Sequence, residues 1–258
     1  MAEDAARGDA GPRSLGSLIA LGTVALVLIA ILLALGTWQV HRRAWKLDLI
    51  ARVDARVHAP PVPPPGPGAV VTAASDEYRH VRVSGRFLNG KDTLVQAVTD
   101  YGPGYWVVTP FETTSGFTVL VNRGFVPTAL RDPATRASGE DPGASTVNGL
   151  LRLSEPGGAF LRHNDPGDDR WYSRDVAAIA AKRGLGDVAS YFIDADGPAR
   201  PGKYPIGGLT VISFPNSHLI YALTWYGLAA MLAGAVVVIG RQEWRRRSLP
   251  ASRRPEPA

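Results

Sequence analysis

The sequence predicts a membrane protein of the α+β class, with two transmembrane helices flanking an extracytoplasmic, mostly antiparallel β domain that contains one helix. Three observations carry this. Residues 14–40 and 204–240 contain no Asp, Glu, Lys or Arg, although 28 Lys and Arg and 23 Asp and Glu occur in the 258 residues. A mean hydropathy of -0.01 in a chain so charged means that its apolar residues are concentrated, and each uncharged stretch has room for the roughly 20 apolar residues of a span. Between the two, short runs rich in Val, Tyr, Phe and Thr alternate with Gly, Asn, Asp and Pro, the pattern of strands and turns.

Residues 1–14 form a net acidic N-terminal tail and 15–37 the first span. A cleaved signal peptide would have a positive leader and an apolar core of about 7 to 15 residues. Here the leader is acidic and the core longer, so the segment is expected to remain as an anchor. Residues 38–77 read as a membrane flank and a stiff spacer, because Pro60, Pro61, Pro63, Pro64, Pro65 and Pro67 favour extended polyproline geometry. In the domain at 78–215, strands are expected at 78–88, 93–98, 105–111, 117–122, 147–153, 191–194 and 209–214. Gly102-Pro103-Gly104 reads as a tight turn. One helix is expected at 174–183, capped by Ser173, with Lys182 and Arg183 in its last turn and Gly184 ending it. The second span is 216–240, followed by a basic tail at 241–258.

Arg241, Arg245, Arg246, Arg247, Arg253 and Arg254 place the C-terminus in the cytoplasm. Two spans then return the N-terminus to the same side and leave residues 41–205 outside. Arg42, Arg43, Lys46 and Arg52 argue the reverse, but loop charge weighs less when a long domain is translocated.

With no cysteine, the chain has no disulfide, no thiolate metal site and no thiol chemistry. No Gly-x-Ser-x-Gly, Ser-x-x-Lys, phosphate-binding loop or His-Glu-x-x-His is present, so the expectation is a protein that is not an enzyme. Asp165, Asp168 and Asp169 lack the spacing of a calcium loop and read as surface acids. The five histidines show no metal-ligand spacing. A basic tail at a membrane exit is explained by anionic lipid, and no nucleic-acid partner is expected.

Gly36-Thr37-Trp38-Gln39-Val40-His41-Arg42-Arg43-Ala44-Trp45-Lys46 closes the first span, and Asn216-Ser217-His218-Leu219-Ile220-Tyr221-Ala222-Leu223-Thr224-Trp225-Tyr226-Gly227 opens the second. Together with Gly102-Pro103-Gly104-Tyr105, Thr109-Pro110-Phe111 and Val121-Asn122-Arg123-Gly124-Phe125-Val126-Pro127, this order resembles the Surfeit locus protein 1 family of cytochrome c oxidase assembly factors, from about Gly36 to Ala230. Phe125 stands where the family usually has Trp, and Ser217 where it has a second Asn.

The resemblance implies a factor in the bacterial plasma membrane that aids haem a insertion into, or maturation of, the catalytic subunit of an aa3-type oxidase. Haem a is the implied transient cofactor, with His218 its axial ligand and the only contact to a metal. Haem a synthase and the lipid bilayer are further implied partners. On this resemblance the chain either carries haem a or holds the apo-subunit open for it.

Physically, His218, Tyr221, Ala222 and Trp225 fall on one helical face at i, i+3, i+4 and i+7, and such a face suits a planar apolar group. An interfacial hydrogen bond is the competing role of His218. Arg42 and Arg43 either pair with propionates or snorkel to headgroups. Trp38, Trp45, Tyr221, Trp225 and Tyr226 also suit an interfacial aromatic belt. Gln39, Lys46, Asn216, Arg123 and Gly124 complete the motif residues, as partner contacts or structural elements. A membrane-tethered ligand-binding or sensor module is the alternative class, but residues 241–258 are too few for a signalling domain.

The topology is tested with intact spheroplasts. External protease should degrade residues 41–205 and leave both termini protected; digestion of the Arg-rich tail from outside would overturn it.

Overall fold

The computed structural model describes residues 14–139, 143–197, 204–212 and 214–248. Residues 1–13 of the acidic tail, and Arg253 and Arg254 of the basic one, lie outside the described residues. Along the chain come α1 (Leu15–Val57), β1 (His80–Phe87), β2 (Thr93–Thr99), β3 (Gly102–Thr113), β4 (Thr118–Pro127), β5 (Ser145–Leu153), β6 (Gly158–Ala159), β7 (Arg162–His163), α2 (Val176–Arg183), β8 (Val188–Ala195) and α3 (His218–Ser248). Two short 3-10 turns, Thr128–Leu130 and Pro133–Gly139, follow β4. The chain divides into two units, Ile50–Ser213 and the pair Met1–Leu49 with Phe214–Ala258.

Both α1 and α3 are long and apolar enough to cross a membrane, and little of either apolar stretch is buried within the chain. The first helix runs 20 residues past the expected end of the span at 37 and is about 65 Å long. Residues 38–57 contain neither Gly nor Pro and are rich in good helix formers, so nothing stops the helix until the proline run approaches. That run is not a free spacer: the Val62 N–H donates to the His80 carbonyl (3.1 Å), the Arg82 N–H to the Val62 carbonyl (2.9 Å), and the Tyr191 hydroxyl to the Pro65 carbonyl (2.6 Å). Proline lacks a donor but keeps its carbonyl, which lets the segment lie along the domain as a strap.

The sheet of the second unit runs β1-β5-β8-β4-β3-β2, and β1 also pairs with β3, closing five strands into a ring with β2 outside it. All ring pairings are antiparallel except β4 with β8, which is parallel. Gly85 is the corner. It faces Ser145 of β5 on one side and Thr113 of β3 on the other, and a Cβ there would collide with the Glu112 carbonyl. A barrel corner of this kind needs a residue without a side chain.

Period-2 alternation explains the two cores. Val81, Val83, Phe111, Val119, Val121, Val147, Leu151, Tyr191 and Ile193 fill the ring from all five strands. Leu120 and Phe192, one residue out of step, join Val95 and Val108 on the outer face, which Trp171, Val176 and Ile179 cover. The α2 helix starts two residues later than expected. Its cap is Asp175, not Ser173: the Asp175 carboxylate accepts from Ala178 N–H (3.1 Å), and the Ser173 hydroxyl instead donates to the Glu155 carbonyl (2.6 Å). Gly184 ends the helix in the left-handed conformation (φ 60°), as expected.

Other expectations are corrected. Gly102-Pro103-Gly104 already belongs to β3 and pairs with residues 97–99 of β2. No strand forms at 209–212; Ile206 makes the neighbouring bridge, to Phe125. The connection at 155–170 contains the β6–β7 hairpin; its acids lie at the surface as expected, where Asp165 and Asp168 pair with Arg170, and Asp169 with Arg183 and the Trp171 indole N–H.

Phe111 is fully buried, with its ring edge-on to Phe87 at 4.8 Å. Phe111→Ala should therefore cost about 3–5 kcal/mol in denaturant unfolding of the detergent-solubilised full chain. Phe160→Ala, at a residue 89% exposed on the β6–β7 tip, should stay within about 0.5 kcal/mol.

Candidate functional site

In the unit formed by α1 and α3, the two motif ends meet. Gly36 is buried because the Tyr226 ring lies over it; a Cβ at Gly36 would stand 2.7 Å from the Tyr226 Cε1. The Thr37 hydroxyl donates to the Leu33 carbonyl (2.9 Å), so its lone pair accepts the Tyr226 hydroxyl at 3.0 Å. The Gln39 Oε1 lies 2.7 Å from the His218 Nδ1. An amide oxygen only accepts, so Nδ1 carries a proton, and in the neutral tautomer this selects, the lone pair is on Nε2. No hydrogen bond reaches Nε2 among the described residues.

The remaining motif residues of this unit separate into two groups. Ala222 and Ala229, seven residues apart, are buried on the face of α3 that also carries His218. Trp225 and Tyr226 are half-buried. Tyr221 is 55% exposed and Trp38 57% exposed, so the structure leaves both facing outward. The Arg42 guanidinium stacks over the exposed Trp45 ring at 4.0 Å, and Arg43 and Lys46 are half-buried along α1. Asn216, just ahead of α3, has a buried Oδ1 with no hydrogen-bond partner.

Arg123 and Gly124 belong to the other unit. The Arg123 guanidinium lies over the Phe87 ring at 4.5 Å, and its Nη1 is 3.5 Å from the Asn89 Oδ1. Gly124 has φ 125°, and a Cβ there would collide with the Ile206 carbonyl. It is a structural glycine: only without a side chain can the 204–208 segment reach Phe125, with which Ile206 exchanges both backbone hydrogen bonds at 2.9 Å.

Next to Gly124 is a polar cavity of about 190 Å³, lined in part by Asn122, Arg152, Arg174, Asp194 and Thr210. Sequence reading did not single out this cluster, although an acid ending the apolar run 191–193 was the available signal. The Asp194 carboxylate, 3% exposed, accepts from Asn122 Nδ2 (2.7 Å), Thr210 Oγ1 (3.1 Å), Arg152 Nη1 (3.2 Å) and Arg174 Nη1 (3.1 Å). Arg174 also forks onto Glu155, with Nε 3.1 Å from Oε2 and Nη2 2.5 Å from Oε1. The cations here are already matched by carboxylates, so the cluster is suited to holding strands and loops in place, not to attracting an anion. Burial alone pushes the Glu155 carboxyl upward, but the Arg174 hydrogen bonds and charge outweigh it and hold the group below its ordinary value.

No group of three His, Asp or Glu able to hold a metal occurs among the described residues. The one imidazole among the helix motifs that is oriented by another side chain is the half-buried His218, whose Nδ1 is held by Gln39, so that in the neutral ring Nε2 is the nitrogen that could meet a metal.

Comparison with known proteins decides the family. The family model described as the SURF1 family matches residues 26–230, which contain both motif ends and the whole β domain. The chain belongs to the SURF1 family. It is 39% identical over 221 residues to Surfeit locus protein 1 of Rattus norvegicus, covering 80% of this chain and 71% of the relative. The human Surfeit locus protein 1 is likewise 39% identical, over 224 residues, 80% of this chain and 73% of its own length. A SURF1-like protein of Monosiga brevicollis is 36% identical over 230 residues, 84% and 86% of the two chains. The family match thus includes Gln39 and His218 as well as the Asp194 cluster.

The Glu155–Arg174 pair has a pH signature. A carboxyl held low in the fold contributes stability above its unfolded value, near 4.5, and loses it as pH falls through the lower folded value. Thermal unfolding of the full chain between pH 6 and 3 should therefore show a declining acid limb that Glu155→Gln makes shallower. An unchanged limb would remove the pair from the acid response.

Proposed function

We propose that this chain is a membrane-anchored assembly factor for an aa3-type cytochrome c oxidase, which aids haem a insertion into the catalytic subunit and binds haem a transiently through His218. The observation that carries the reading is the Gln39–His218 hydrogen bond, which joins the two motifs and leaves Nε2 open. Membership of the family supports the assembly role. The absence of a recognisable nucleophile and base supports a factor that acts by binding.

When bound, haem a would supply an iron able to accept an imidazole lone pair, and His218 is the residue that would hold it. The chain's own residues do the positioning. Gln39 holds the Nδ1 proton and so fixes both tautomer and ring orientation. Gly36, Thr37 and Tyr226 set the separation of α1 and α3 at that depth. Trp225 offers a flat apolar surface on the same face of α3 about two turns on, and Arg42 and Arg43 are the cations available to carboxylates. In the proposed arrangement both helices cross the bacterial plasma membrane, both termini are cytoplasmic, and the β domain faces outward to meet the catalytic subunit, with haem a synthase as the source of the cofactor.

Deleting the gene should lower aa3-type oxidase activity and membrane haem a while sparing oxidases that lack haem a. Normal oxidase spectra in a deletion strain without a second copy would overturn the assembly role. The haem role is tested separately, on protein purified from membranes that make haem a. His218→Ala should abolish haem copurification at normal protein abundance. His218→Met should retain part of it with a shifted absorption spectrum. Gln39→Ala should weaken retention about 10- to 100-fold, the usual cost of removing the group that orients a metal-binding imidazole. Wild-type protein that carries no haem a, or an alanine variant with an unchanged spectrum, overturns ligation by His218.

A further inference from the structure

His80, the first residue of β1, meets two distant lengths of chain with its two ring nitrogens. Its Nδ1 lies 3.0 Å from the carbonyl oxygen of Ala59, just past α1, and its Nε2 lies 3.1 Å from Oδ2 of Asp196, just past β8. Neither partner has a hydrogen to give, because a carbonyl and a carboxylate only accept. Both contacts are hydrogen bonds only when both nitrogens carry protons, so the geometry is that of the imidazolium. A neutral ring has one N–H and one lone pair, and wherever its proton sits, one of the two oxygens then faces a lone pair.

The two oxygens are not equally held. The Asp196 side chain is 47% exposed and can turn to water, whereas the Ala59 carbonyl belongs to the strap, which β1 also holds through both Val62 hydrogen bonds. The N–H left on the neutral ring therefore stays on Ala59, and Asp196 is the arm that is let go. The other charged groups on the elements packed against His80 are engaged: Arg79 with Asp76 (3.2 Å), Arg82 with the Asn148 amide oxygen (2.8 Å), and Arg152 with Asp194 (3.2 Å) and Glu77 (3.5 Å). His58, which follows α1, pairs with Asp54 at 3.2 Å.

We propose that His80 is a pH-set latch between the two connections of the β domain. Charged, it ties the segment that leaves α1 to the segment that leads toward α3; neutral, it holds the first alone. An imidazole changes charge between about pH 5 and 8. The His80 side chain is 20% exposed, so its proton passes to and from water. The latch goes beyond the assembly reading and rests on neither haem a nor the oxidase.

The test is hydrogen exchange of the full-length protein in nanodiscs, expressed as protection factors, which divide out the intrinsic pH dependence of exchange. It is read at the Asp196 and Gly208 amides, which donate to the Asn148 and Ala195 carbonyls, and at the Val62 amide as the reporter of the strap. From about pH 5.5 to about pH 8, protection at Asp196 and Gly208 should fall about threefold, the size of one partly exposed charged pair, while Val62 keeps its protection. His80→Ala should show the lower value at both pH values. Asp196→Asn is the decisive variant: an amide offers an N–H to the neutral ring's Nε2 and an oxygen to the charged ring's Nε2–H, so protection should stay high at both. Wild-type protection that does not change with pH overturns the latch, as does a fall that persists in Asp196→Asn. A fall at Val62 in place of Asp196 overturns it too, since the strap would then be the arm released. Nitrogen-15 chemical shifts of the wild-type His80 ring give a check that needs no variant: two protonated nitrogens at the lower pH and one at the higher. A ring already neutral at the lower pH overturns the proposal. Haem copurification and oxidase activity are not read out, so failure here is distinct from failure of the assembly role.

Discussion

The Asp194 carboxylate ends the apolar run of β8 inside the protein, where an unpaired charge could not persist, and the β domain is organised around satisfying it. Each donor comes from a different segment: Asn122 from β4, Arg152 from β5, Arg174 from the approach to α2, and Thr210 from the chain that follows β8. One side chain thus ties the parallel β4–β8 pair to the antiparallel β5 and to two connections that have no regular structure. A buried acid of this kind contributes less to net stability than an apolar residue would, but removing any one partner leaves charge uncompensated. The consequence is a strict requirement on position. Nearby, Gly124 must remain glycine so that residues 204–208 can close over β4 and reach their place beside this cluster.

In the membrane arrangement proposed above, the helix pair follows a different rule, because apolar surface gains little by being buried in an apolar solvent. Close approach must come from shape and hydrogen bonds. Gly36 accepts the Tyr226 ring, Thr37 accepts its hydroxyl, and Gln39 meets His218, all within one turn of α1. At the far end small residues, Gly22 and Ala25 of α1 and Ala235 and Gly240 of α3, again face one another, yet the helices are parted there and Glu243 is enclosed in the wall. The same residue types serve contact in one place and vacancy in the other, and only the packing of the larger neighbours distinguishes them.

Much of the candidate site was legible in the order of residues. Both motif ends, with Gln39 and His218, are visible as polar and aromatic residues at the edges of the two predicted spans. Their direct contact is not, since 179 positions separate them. Helical spacing grouped Tyr221 with His218, but Tyr221 is largely exposed, because the inward face of α3 is set by where α1 lies. The Asp194 cluster escaped notice because its members are spread from Asn122 to Thr210 and share no local pattern.

What the sequence determined by itself was everything governed by local periodicity and composition: two long apolar helices, most of the strands, the helix that Gly184 ends, and the absence of thiol chemistry. What only the tertiary structure decided was everything requiring distant segments to meet. The ring closes because Gly85 pairs with both β3 and β5, the proline-rich segment lies down because its carbonyls find donors on the domain, and 209–212 forms no strand. Period and propensity act over a few residues, whereas closure, buried ion pairs and helix contacts depend on which surfaces the whole chain brings together, and those choices are made by packing.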